Sequence, residues 1–278
     1  MKDSLILRFL YRTVPGRVML KILTEPNVSR AAGHVLSSKA SKCLVPYYIW
    51  KHKIDMSGID IPAEGFSSFN AFFTRKHLME YFDLTPGHLI CPCDGFLTPV
   101  KIEEDMVFTI KNTCYSLTDL LKDATLAKKF AGGWAIIFRL TPANYHRYCY
   151  AVSGQVFRSR KIKGKLHCVR PIALRTIPVF AQNSREYQII RAEGFGTVVQ
   201  MEIGALLVGK INNRPLPADE RYVQRGEEKG FFEFGGSTVI LLIQKDMVHI
   251  NTAFFQRVND DGEIPVQMGE AVAWLSRQ

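Results

Sequence analysis

Residues Lys229–Ile243 read "KGFFEFGGSTVILLI". An aromatic run, a Gly-Gly break and a hydroxyl pair lead into Val239–Ile243, which is aliphatic throughout. A run that is apolar at every position, not at alternate ones, is the pattern of a strand covered on both faces. Gly235 and Gly236 supply backbone freedom and Ser237 a local hydrogen bond, so the stretch reads first as a turn between two strands. A Ser set between a double glycine and a buried strand admits a second reading. Its hydroxyl can attack the preceding carbonyl if the chain is strained there and no bulky side chain precedes it. A base and oxyanion donors must then come from elsewhere in the fold.

The strand pattern extends outward from this stretch. "VFTIKN", "GWAIIFRL", "GQVFRSRKIKG", "IPVFAQNSREYQIIRAE" and "GTVVQMEIGALLVGKI" are short β-branched or aromatic runs split by Gly, Pro and Asn. "YSLTDLLKDATLAKKFAGG" predicts a helical insert ended at Gly132-Gly133. Ahead of residue 84 the spacing turns helical. "MKDSLILRFLYRTVPGRVMLKIL" predicts two short helices broken at Pro15-Gly16. Asn27 and Ser29 offer caps for the next segment, and Ser67 and Ser68 open "FSSFNAFFTRKHL". The expected class is α+β: a helical N-terminal part, 1–84, packed on a β-rich domain, 85–278, folded as a sandwich or partly closed barrel.

Composition narrows the partners. The chain has 278 residues, 47% hydrophobic, enough for a large core, and a net charge of +10 that favours anionic partners. No basic run with interleaved aromatics and no zinc-finger spacing is present, which argues against nucleic acid and leaves acidic lipid. The 6 Cys are scattered without paired CxxC spacing, and "CPC" at 91–93 is too tight for a zinc knuckle. No metal is expected, and a reducing compartment fits. No segment reaches the roughly 18 to 20 apolar residues of a membrane span. Arg8, Arg12 and Arg17 lie among the apolar residues of the first helices. Such a pair can lie on an anionic membrane surface or pack on the core.

Several polar residues stand where chemistry could occur. Asp94, in "PCDGFLTPV", is either a turn residue or a carboxylate at a strand entry. His146, in "FRLTPANYHRYCYAVSG", follows a turn and adjoins Arg147. That cation is expected to lower its pKa and keep the imidazole neutral, which suits a base. Cys149 is a core residue or a thiol near the same turn. Asn183 and Arg185 interrupt the apolar "PVFAQNSREYQII", where they either bind a carboxylate or phosphate or end a strand.

Taken in order, "LYRTVPGR", "SFNAFFTRK", "CDG", "YHRY", "FAQNSRE", "MEIGALLVGKI" and "KGFFEFGGSTVILLI" resemble the phosphatidylserine decarboxylase proenzyme family over nearly the whole chain. The resemblance implies self-cleavage between Gly236 and Ser237. Ser237 attacks the Gly236 carbonyl to give an ester. Elimination and hydrolysis then leave a covalent pyruvoyl group, derived from Ser237, and ammonia. Chains 1–236 and 237–278 result. The pyruvoyl group is the implied cofactor, serving as electron sink while phosphatidylserine loses carbon dioxide to become phosphatidylethanolamine. The implied partners are phosphatidylserine and an anionic membrane surface. The implied setting is peripheral, on the cytoplasmic side, with no transmembrane segment and a two-chain protomer that could form a homo-oligomer. The resemblance also implies an Asp, a His and the processing Ser acting as a triad. Asp94 and Ser237 match it. The family pattern YHRxH carries its triad His second, where this chain has Cys149, and His146 matches the first. Cys149 as thiolate base, His146 in both roles, and lost or slow processing all stay open. So do two other readings: a pyruvoyl decarboxylase of a soluble amino acid, and a non-enzymatic lipid-binding relative.

Overall fold

The computed structural model describes residues 5–78, 81–206, 210–217, 221–235 and 237–276. The first part is mainly helical: α1 (Leu5–Arg12), α2 (Val14–Leu23), α3 (Pro26–Leu36), α4 (Leu44–His52) and α5 (Phe69–Phe73). The break between α1 and α2 falls at Thr13, not at Pro15-Gly16. Thr13 caps α2 by accepting from the Gly16 N–H at 3.1 Å. Pro15 then lies in the first turn, where its missing N–H forfeits no helical bond. Strands β1 (Ile59–Asp60) and β2 (Lys76–His77), which flank α5 in the chain, pair with each other.

Beyond residue 84 strands predominate. They are β3 (His88–Ile90), β4 (Gly95–Lys101), β5 (Val107–Ile110), β6 (Thr113–Ser116), β7 (Trp134–Leu140), β8 (Arg147–Cys149), β9 (Gly154–Ile162), β10 (Arg185–Ala192) and β11 (Gly196–Ile203). After these come β12 (Ile211–Asn213), β13 (Tyr222–Val223), β14 (Glu228–Phe232), β15 (Ser237–Ile243), β16 (Val248–Ile250), β17 (Ile264–Val266) and β18 (Ala271–Leu275). The expected insert is α6 (Leu117–Leu121) and α7 (Ala124–Lys128). Two further turns of helix, α8 (Pro171–Leu174) and α9 (Val179–Gln182), precede β10. The "PVFAQ" stretch, expected as strand, is therefore partly helical.

Among the described residues the main sheet has 8 strands in the order β13-β9-β10-β11-β15-β7-β4-β17, all antiparallel. It is open at β13 and β17 and does not close into a barrel. The class is α+β. β15 lies inside it, and every residue from Ser237 to Ile243 is buried. That burial explains the unbroken apolar run, each large aliphatic side chain contributing about 1.5–3 kcal/mol.

Packing crosses the expected boundary near residue 84. Leu10, Tyr11 and Leu20 join the main core. The Tyr11 hydroxyl accepts from the Cys168 N–H at 3.0 Å, and the Leu166 N–H donates to the Thr24 carbonyl. A second, aromatic core gathers Val45, Ile59, Phe66, Phe69, Phe72 and Phe73, with Phe234 packed against it. It joins the helical part to the Gly-Gly-Ser segment.

Candidate active site

The register of the sheet brings distant residues to one edge. Arg139 on β7 pairs with Phe96 on β4 and with Thr238 on β15. One residue further on, Leu140 pairs with Ser237, and Gly95 lies alongside. A Cβ on Gly95 would stand 2.6 Å from the Arg139 carbonyl oxygen, so only glycine allows this approach. Asp94 thus enters the sheet two strands from Ser237, roughly 10 Å at the usual strand spacing. Arg139 braces the row, with its guanidinium on Glu263 at 2.9 and 2.6 Å.

Ser237 is fully buried, and its Oγ has no hydrogen-bond partner among the described residues. A buried hydroxyl left unpaired is uncommon and calls for an explanation. Gly235 holds φ at +138°, a conformation costly for any residue with a Cβ. Gly236, half of the expected cleavage site, lies outside the described residues.

Helix α5 secures this segment. Ser68 caps it by accepting from the Ala71 N–H. Asn70 accepts from the Phe234 N–H at 3.3 Å and donates to Ser37 Oγ and the Gly33 carbonyl. Phe69 and Phe73 both meet the Phe234 ring at 5.1 Å. Phe73 also covers the imidazole of His146, with ring centroids 3.9 Å apart. The "SFNAFF" motif therefore serves as a clamp on the residues just before Ser237.

His146 is fully buried. Its Nδ1 lies 2.8 Å from the Asn144 carbonyl oxygen. A carbonyl can only accept, so Nδ1 carries the proton and Nε2 presents a lone pair. Nε2 is buried and has no hydrogen-bond partner among the described residues, although the Gly235 backbone stands beside the ring. Burial, with a smaller push from the Arg75 charge, holds the imidazole pKa down to about 3, while the backbone groups of Asn144 and Gly235 oppose the shift. The ring is neutral, as expected, but for another reason. The guanidinium of Arg147 is committed to Glu228 at 2.9 Å and to the Thr74 carbonyl at 3.0 Å.

Asp94 accepts from the Met268 N–H at 2.9 Å, and the Tyr145 backbone also bonds it. Burial raises its pKa, against those bonds and the charges of His77 and Arg75. Neither His77 nor Arg75 was singled out in the sequence. His77 stands edge-on to Tyr145 at 4.3 Å. His167, also in the β-rich part, instead accepts at its carbonyl from Asn183.

The remaining candidates take other positions. Cys149 is buried on β8. Its N–H donates to the Pro92 carbonyl and its carbonyl accepts from Gln200. Cys91 and Cys93 are near it, and burial raises both of their thiol pKa values. Asn183 is fully buried and binds both backbone groups of His167 and the Gly204 carbonyl. Arg185 donates to the carbonyls of Leu120, Ala181, Asn183 and Asp119. Only one of the roughly five N–H groups of a guanidinium is left over. Both side chains clamp backbone where the sequence suggested anion binding.

Comparison with known proteins agrees with this geometry. A family model described as phosphatidylserine decarboxylase matches residues 69–273. The chain is 36% identical over 269 residues to the phosphatidylserine decarboxylase proenzyme 2 of Clostridium acetobutylicum, covering 96% of this chain and 90% of that one. It is 38% identical over 272 residues to the phosphatidylserine decarboxylase proenzyme of Ruminiclostridium cellulolyticum, with the same coverage. The Clostridium perfringens proenzyme is 36% identical over 267 residues, covering 94% of this chain and 90% of its own.

Proposed function

Because this chain belongs to the phosphatidylserine decarboxylase family, we propose that it cuts itself before Ser237 and then converts phosphatidylserine to phosphatidylethanolamine and carbon dioxide. The observation that carries this reading is the buried Ser237 hydroxyl, which has no hydrogen-bond partner among the described residues and stands two residues after a positive-φ glycine whose backbone adjoins a neutral imidazole.

In the processing step Ser237 Oγ bonds to the Gly236 carbonyl carbon as the Gly236–Ser237 C–N bond breaks. The hydroxyl proton passes by way of a base to the departing amine. His146 fits the base best, since its Nε2 lone pair is unprotonated at neutral pH and the Gly235 backbone adjoins the ring. Loss of the Ser237 α-proton then expels the Gly236 carboxylate, and water replaces the nitrogen as ammonia. Asp94, held by two backbone bonds at the same sheet edge, is assigned to orient the charge of the site. Cys149 shares its buried pocket with Cys91 and Cys93, which favours a packing role.

The pyruvoyl group fits this position. It needs no counter-ion, and the oxygen of Ser237 is already buried with no hydrogen-bond partner among the described residues. When present it supplies an electron sink for the carbon that carbon dioxide leaves. The chain's own residues do the rest. Phe73 packs over His146 and against Phe234, and the neutral imidazole can relay the proton that replaces carbon dioxide.

Membrane access is assigned to the first helices. Among the described residues no helix is long and apolar enough to cross a membrane. Leu5, Ile6, Val14, Val18 and Ile22 are nevertheless exposed, interspersed with exposed Arg8, Arg12, Arg17 and Lys21. Apolar side chains among cations suit an anionic, peripheral surface. The test of the whole reading is carbon dioxide release from phosphatidylserine in mixed micelles by the parent and by Ser237→Ala. Release by the parent alone supports it; an active Ala variant refutes it.

A further inference from the structure

Four cations are buried among the described residues: Arg75, Arg139, Arg185 and Lys229. Three are held by strong acceptors. Arg139 grips Glu263, Lys229 meets Glu202 at 2.5 Å, and Arg185 is spent on backbone carbonyls. Arg75 differs. It is 5% exposed, and its Nε has no hydrogen-bond partner among the described residues. One Nη1–H reaches the Phe72 carbonyl at a long 3.5 Å. No carboxylate of the described residues forms an ion pair with it. Its guanidinium carbon lies 5.0 Å from the Phe72 ring centroid, so one face is occupied and its donor edge is not. Asp94 acts on its charge without forming an ion pair with it, and a buried cation so loosely paired is costly and is kept only where something else compensates.

Its location indicates what compensates. Arg75 lies close enough to Asp94 and His146 for its charge to act on both. It follows α5, which also clamps Phe234 ahead of Ser237. We propose that Arg75 receives an oxyanion of the substrate headgroup and so sets the headgroup against the reacting end of β15. The matching ligand is a pair of oxygens sharing one negative charge, to which a guanidinium offers two parallel N–H groups. Phosphatidylserine carries two such groups, its phosphodiester and its carboxylate. This inference rests on the active-site reading above.

The experiment uses the full chain and follows kcat and KM for carbon dioxide release, with band formation as a separate readout. Arg75→Gln should still give two bands and keep kcat within a few-fold. Its KM for phosphatidylserine should rise roughly ten- to a hundredfold, the loss of a charge-assisted pair. Arg75→Lys keeps the charge without the fork and should fall between; it is read alone if the Gln variant does not mature. Two competitive inhibitors identify the bound group. Glycerophosphoethanolamine has the phosphate and no carboxylate, and O-acetylserine has the carboxylate and no phosphate. Whichever inhibitor weakens in the variant marks the oxyanion held by Arg75. Unchanged KM and unchanged inhibition in the variants that mature overturn the proposal. A parent chain that stays one band and releases no carbon dioxide fails the active-site reading itself, and this inference with it.

Discussion

The neutral imidazole of His146 carries a measurable cost in acid. The folded protein holds its pKa down to about 3, against an unfolded value near 6.5, because burial disfavours the charged ring. A depressed pKa contributes stability that is present above the unfolded value and is lost as pH falls toward the folded one. Between pH 7.5 and pH 5.5 the unfolded chain gains most of a proton at this site and the folded chain gains none. The linkage amounts to about 1.4 kcal/mol. The assay is urea unfolding of the uncleavable Ser237→Ala chain, with and without His146→Gln, at the two pH values. The Gln substitution costs something at both, and that cost cancels in the difference. The His-bearing chain should lose about 1.4 kcal/mol more on acidification than the Gln-bearing one. In the cleavable chain His146→Gln should slow band formation roughly a hundred- to ten-thousandfold, the usual worth of a general base. Cys149→Ala should mature near the parental rate. Equal acid losses in the two unfolding series, or normal maturation of His146→Gln, would refute the reasoning.

Other outcomes follow from the same geometry. Asp94→Asn should keep the fold, by thermal melting, while band formation slows at least tenfold; maturation at the parental rate would reduce Asp94 to a turn residue. Lys229→Met should destabilise the chain by about 3–5 kcal/mol in urea titration, because it strands Glu202 without its cation. A loss below about 1 kcal/mol would mean that the pair is solvated. Binding to anionic vesicles should weaken as salt rises and fall further when Leu5, Ile6 and Val14 are changed to Ser; binding indifferent to both would remove α1 and α2 from the membrane assignment.

Parts of this site were legible in the sequence for physical reasons. The apolar run of β15 announces two-sided burial, and a Ser behind two glycines announces a special backbone. Asp94 and His146 each border a turn at a strand end, where functional side chains are commonly carried. What misled was adjacency. Arg147 follows His146 directly, but successive residues of an extended chain point to opposite sides, so its guanidinium goes to Glu228. The cation that does reach the imidazole is Arg75, seventy-odd residues earlier. In "FFTRK" it looks like the charged end of a short helix. Its burial depends on how α5 packs against Phe234, which no local pattern encodes. Asn183 and Arg185 illustrate the same limit. Their chemistry suits an anion, but the open backbone carbonyls around α6, α9 and Gly204 take their donors first.

The central claim is that this chain makes its own prosthetic group at Ser237, and intact mass spectrometry of the purified protein under denaturing conditions tests it most directly. The account predicts two polypeptides, 1–236 and 237–278, the smaller lighter than its encoded sequence by one ammonia. A single species at the full mass of the 278-residue chain, or a small chain that retains an N-terminal serine, would contradict it.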